Sequence, residues 1–99
     1  MGAESFRNSI RLDGNTAQDI QKAFRVVVEE AEYEHGHGGY SGTIAKKGSF
    51  QLLQTFPVNT PVEVVEAYIE STEDENDKWG PAYAVVHGNT VFFYGWASS

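Results

Sequence analysis

Residues 82–97 read AYAVVHGNTVFFYGWA, and this run constrains the chain more than any other. β-Branched and aromatic side chains dominate it, and such residues fit a pleated, half-buried surface. The Gly88-Asn89 pair in its middle suits a tight turn, so the run reads as a β-hairpin. Side chains alternate along a strand, which puts Phe92, Tyr94 and Trp96 on one face and Phe93 on the other. Most of these rings are expected in the core. One aromatic face is alternatively a surface for a ligand or a second subunit.

Two amphipathic helices are expected to cover this hairpin. Thr16 and Asp19 make a capping box, and the helix after them runs over 17–34. Ile20, Phe24, Val27, Val28 and Ala31 recur at helical spacing as its buried stripe, and Gly36 is placed to stop it. In NTPVEVVEAYIEST, Thr60 reads as the N-cap, Pro61 as the first helical residue and Glu63 as the box partner. Val62, Val65, Tyr68 and Ile69 supply the apolar face of that second helix. YSGTIAKKGSFQLLQTF reads as another hairpin, with strands over 40–46 and 49–55 turned near Lys47-Gly48. Residues 5–12 form a short strand or an ordered arm, since Phe6, Ile10 and Leu12 share parity. Residues 1–4 are expected to be disordered.

The resulting order is α-β-β-α-β-β, with an extra N-terminal strand in reserve. It predicts an α+β fold in which an antiparallel sheet of about four strands carries both helices on one face. The 99 residues fit a single domain over 1–99, and a 40% hydrophobic content allows one modest core. With no cysteine, no disulfide and no thiolate chemistry are available, which suits a reducing cytoplasm. No apolar run approaches the roughly 18 residues of a membrane span, and MGAESFRNSI has no signal-peptide core.

Net charge is −7, from 14 acids against 7 bases. No basic stripe exists to displace counterions from a phosphate backbone, so nucleic acid is not expected as a partner. Acidity serves solubility. Its sharper reading is mimicry of nucleic acid, in which the acids clustered at 29–34 and 73–77 dock on a basic protein.

The stretch EYEHGHGGYSGT, 32–43, concentrates the chemistry. His35 suits the negative end of a helix dipole, and the glycines after it suit a turn. That reading leaves His37 and the Gly38-Gly39 pair unexplained. A second reading is a ligand-binding loop. Glycines let a ligand approach the backbone, His37 adds a donor, Tyr40 a ring, and Ser41 and Thr43 hydroxyls. This suits a nucleotide or another phosphorylated small molecule, although no phosphate-loop pattern is present and no cofactor is expected. A third reading makes His35 and His37 an acid–base pair acting on a phosphodiester. Zinc would need His87 or a carboxylate from 73–77 as well, and with three histidines in all no metal site is expected.

The second concentration is EDENDKWGPAY, 73–83. Its plain reading is a solvated acidic loop with Trp79 at the edge of the core. Lys78 interrupts the alternation that a calcium loop requires. The functional reading has Trp79 stacking on a base and Lys78 pairing with a phosphate.

HGHGGYSGTIAKK, followed by DKWGPAYAV and FFYGWAS, resembles small accessory proteins of tailed phages and prophages that have no established activity. Those proteins share a helix running into Gly-Tyr-x-Gly-Thr-Ile and then a Lys-Trp-Gly-Pro-Ala segment. The likeness spans 17–97. It implies a protein acting in the host cytoplasm against host defences, by sequestering a nucleotide signal, cleaving it, or binding a host protein. The sites expected for a nucleotide-like ligand are His37, Gly38, Gly39, Tyr40, Ser41, Thr43, Lys78 and Trp79. Alternatives are an acidic inhibitor of a host protein and a histidine-dependent phosphodiester-cleaving enzyme. Exposed sheet edges make a homodimer a further expectation.

Overall fold

The computed structural model describes residues 3–14, 16–35, 44 and 47–98, apart from the side chains of His35 and Ser98. Among them the order is β1 (Ala3–Arg11), α1 (Ala17–His35), β2 (Phe50–Phe56), α2 (Val62–Glu73), β3 (Ala82–His87) and β4 (Thr90–Ser98). The fold is α+β, and the N-terminal strand is part of it.

The hairpin forms as its sequence predicts. β3 and β4 are antiparallel, His87 lies opposite Thr90, and Gly88 turns the chain at φ +60°. β1 lies antiparallel to β4 over its whole length, from Ala3 opposite Ser98 to Arg11 opposite Thr90. The four strands are ordered β1-β4-β3-β2.

Two expectations are corrected. The sheet is mixed rather than antiparallel, because β2 pairs with β3 in parallel, Phe50 opposite Ala82. Parallel neighbours need a crossover, and α2 supplies it. In the expected hairpin over 40–55, residues 40–43, 45 and 46 lie outside the described residues. Ile44 lies in a 3₁₀ turn, fully buried, and its carbonyl accepts from the Lys47 N–H at 2.9 Å. Nor do the helices share a face. α1 places Ile20, Ala23, Phe24, Val27 and Ala31 against Ala82, Ala84, Val91 and Phe93. α2 places Val65 and Ile69 against Val85 and Tyr94, which point the other way. β3 is apolar at nearly every position, so both of its faces need cover.

On the α1 face three phenyl rings from three elements meet. The Phe24, Phe50 and Phe93 centroids are 5.1–5.4 Å apart, two of the pairs edge-on. The first capping box is present: Asp19 N–H donates to Thr16 Oγ1 at 3.2 Å, and Thr16 N–H to Asp19 Oδ2 at 3.2 Å. The second is not. Pro61 is the N-cap of α2 with an extended ψ of 141°, and no side chain caps the helix. Thr60 instead closes a turn on the Pro57 carbonyl and accepts from His87 Nε2 at 2.9 Å through its own carbonyl. The helix thus begins one residue late, and Val62 is exposed rather than on the buried face.

Candidate functional site

α2 ends at Glu73 and the chain must return to the start of β3 at Ala82. The eight residues between hold the acidic loop. Helical backbone bonds continue briefly, from Glu75 N–H to the Thr72 carbonyl and from Asn76 N–H to the Glu73 carbonyl, each 3.0 Å. Glu73 itself meets the negative end of the helix dipole, and Arg7 of β1 offsets this at 3.9 Å. Asp77 then folds the loop tip: its carboxylate accepts from the Trp79 N–H and its carbonyl from the Gly80 N–H, both at 3.0 Å.

The loop is held from beneath by two buried polar side chains. Asn76, 7% exposed, accepts at Oδ1 from Lys47 Nζ at 3.2 Å and from the Trp96 N–H at 2.9 Å. Its Nδ2 donates to the Pro81 carbonyl at 2.9 Å. Lys47, 3% exposed, also donates to the carbonyls of Asp77 at 2.8 Å and Gly80 at 2.9 Å. An ammonium has three donors, and all three are used. Burial pushes the Lys47 ammonium below the ordinary lysine range, and the charge of Asp77 opposes that shift. Space for Asn76 comes from Gly95. A Cβ there would overlap the Asn76 amide, and its φ of +145° suits glycine alone.

Above this staple Lys78 and Trp79 face outward. The indole is 60% exposed, and Lys78 Nζ lies 5.5 Å from its ring centroid, a cation–π contact. Asp74, Glu75 and Asp77 are exposed around them.

Of the residues singled out by sequence, Lys78 and Trp79 are thus found side by side. His37, Gly38, Gly39, Tyr40, Ser41 and Thr43 lie outside the described residues, as does the side chain of His35. They are flanked in sequence by α1 and by Lys47. The nineteen residues of α1 rise about 28 Å at roughly 1.5 Å each. On the far flank, Lys47 is bonded to both carbonyls that bracket Lys78 and Trp79. His87 stands at the opposite, hairpin end.

Sequence reasoning missed Asn76 and Gly95. A lone glycine in an aromatic strand signals close approach by another group, and that signal was available. Asn76 was masked by the acids around it, which draw attention to charge. At the hairpin end, a cleft of about 180 Å³ is edged by Arg11, Asp13, Asp19 and Lys22. It is smaller than the roughly 300 Å³ typical of small-molecule sites, and Asp19 is already occupied with its helix cap. Comparison of the chain with protein-family models, curated proteins and solved structures finds no match.

Proposed function

We propose that this protein binds a planar, nucleotide-like small molecule between the Trp79 loop and the His37–Thr43 segment. The observation that carries this reading is the Lys47 ammonium bonded to the carbonyls of Asp77 and Gly80. Lys47 follows the glycine–histidine segment in sequence, and its bonds hold the loop that presents Trp79. Thr43 is four residues from Lys47, so chain length keeps it within roughly 14 Å. A ring held on a stapled loop loses little freedom on binding, which favours affinity. The ligand stacks on Trp79 and takes hydrogen bonds from His37, Tyr40, Ser41 and Thr43.

The electrostatics narrow the ligand class. Lys47 has no donor left for a phosphate, and Lys78 shares its loop with the exposed acids Asp74, Glu75 and Asp77. A nucleoside monophosphate or a cyclic nucleotide therefore suits the site better than a triphosphate. Binding without turnover would act by sequestration, the role expected from the resemblance to phage accessory proteins.

Thermal denaturation with a panel of adenosine and guanosine mono-, cyclic and triphosphates tests this. A ligand at a hundred times its Kd adds about 2.7 kcal/mol of stability, which moves the midpoint on the order of 10 °C for a chain of this size. The shift should be absent in Trp79→Ala and larger for mono- than for triphosphates. A panel without any shift would contradict the reading. A second reading, docking of a basic protein, is favoured by the exposed acids beside an aromatic anchor. It predicts salt-sensitive association that is lost in Asp74→Lys/Glu75→Lys.

A further inference from the structure

We propose that β2 is a homodimer edge, pairing antiparallel with β2 of a second copy to make one continuous eight-stranded sheet. β1 and β2 are the two edges of the sheet, and among the described residues no strand pairs with the outer side of either. An open edge is a template for strand addition, and edges that stay single are protected by charge, proline or bulges. β1 carries Glu4, Arg7 and Arg11. β2 reads FQLLQTF and carries no charge, with one bulge between Leu52 and Gln54.

The neutrality extends beyond the strand. Residues 48–62 contain no Asp, Glu, Lys, Arg or His, in a chain of which 21% is charged. The same stretch gathers exposed apolar side chains. Of the seven large hydrophobic residues exposed among the described ones, Leu52, Val58 and Val62 fall within it, and Val64 lies just beyond, after Glu63. The remaining three are Val26, Tyr33 and Trp79, scattered over α1 and the 74–81 loop.

Charge selects the occupant. Each chain carries −7, so two copies repel through most of their surfaces and meet without that penalty only where charge is absent. A basic partner would be drawn instead to the acids of the helices and the 74–81 loop. A charge-free strand is complementary to itself, and a two-fold axis through β2 brings like residues together on both sides. Gln51, Leu52, Gln54 and Thr55 of β2 are exposed. The dimer does not depend on the small-molecule site, which lies at one end of the sheet.

Analytical ultracentrifugation of the full chain over a concentration series tests the proposal. The expected species has twice the mass of 10.9 kDa, and Leu52→Glu/Thr55→Glu, two exposed positions, should sediment at 10.9 kDa with an unchanged circular dichroism spectrum. The chain has no cysteine, so single cysteines report without background. Gln51→Cys or Gln54→Cys should be linked into dimers by a short bismaleimide, and Glu4→Cys on β1 should not. A wild-type chain at 10.9 kDa throughout would overturn the proposal, as would efficient linking through Glu4→Cys.

Discussion

Asn76 divides its carbonyl oxygen between a lysine ammonium and a backbone N–H, and Gly95 leaves it the room to do so. Gly95→Ala would force a Cβ into the Asn76 amide and a side chain into positive φ. Overpacking and backbone strain each cost of order 1–3 kcal/mol, so a loss of about 2–4 kcal/mol is expected in urea denaturation, with an unchanged slope. Tyr94 gives a second prediction. Its buried hydroxyl lies 2.6 Å from Thr72 Oγ1, and burial raises its pKa above the ordinary tyrosine value, with the Thr72 bond opposing. Above that ordinary value the unfolded chain has lost a proton that the folded chain keeps. Tyr94 therefore contributes stability in full below the unfolded pKa, and this is lost as pH rises through the folded one. Tyr94→Phe should cost about 1 kcal/mol near pH 8, and the gap to wild type should close in denaturation above pH 10. At this scale the apolar core was largely legible in the sequence: Ile20, Phe24, Val27, Ala31, Val65 and Ile69 are buried. The buried polar pair Lys47 and Asn76 was not, because burial of a polar group is decided by partners distant in sequence.

The elements follow the strength of their local signals. α1 starts where Thr16 and Asp19 cap it, since each side chain satisfies the other's backbone N–H. Hydrogen bonds from Thr16 hold the Asp19 carboxyl below its usual range. Thr16→Ala should cost about 0.5–2 kcal/mol by chemical denaturation. α2 carried an equally clear capping pattern at Thr60, yet the Thr60 carbonyl bonds His87 and the helix starts after Pro61. A tertiary bond outweighed a local preference worth about 1 kcal/mol. The parallel pairing of β2 escaped for a different reason. FQLLQTF suits a hairpin strand and a crossover strand alike, and only the pairing partner distinguishes them. The deciding cue lay in β3, where Ala82, Ala84, Val85 and Val86 are buried on both faces. A strand apolar on both sides requires a layer on each, which placed α1 and α2 apart.

Across the whole molecule, the sheet separates two ends. The hairpin end holds the Gly88 turn, His87 and the start of α1. The other end gathers three segments that are far apart in sequence: Lys47 after the glycine–histidine stretch, Asn76 to Pro81, and Gly95-Trp96. No membrane-spanning helix is present among the described residues. Composition showed that the chain is acidic, but not that one of its few cations is buried at this end as an internal staple. The most direct measurement is a ¹⁵N heteronuclear correlation spectrum of the full chain titrated with adenosine monophosphate and cyclic adenosine monophosphate. A single site predicts saturable shifts in the amides of His37 to Thr43 and in the Trp79 indole N–H together, with one shared Kd and no change at Gly88. Shifts confined to only one of these segments, or none with either nucleotide at millimolar concentration, would contradict a nucleotide site shared by the two.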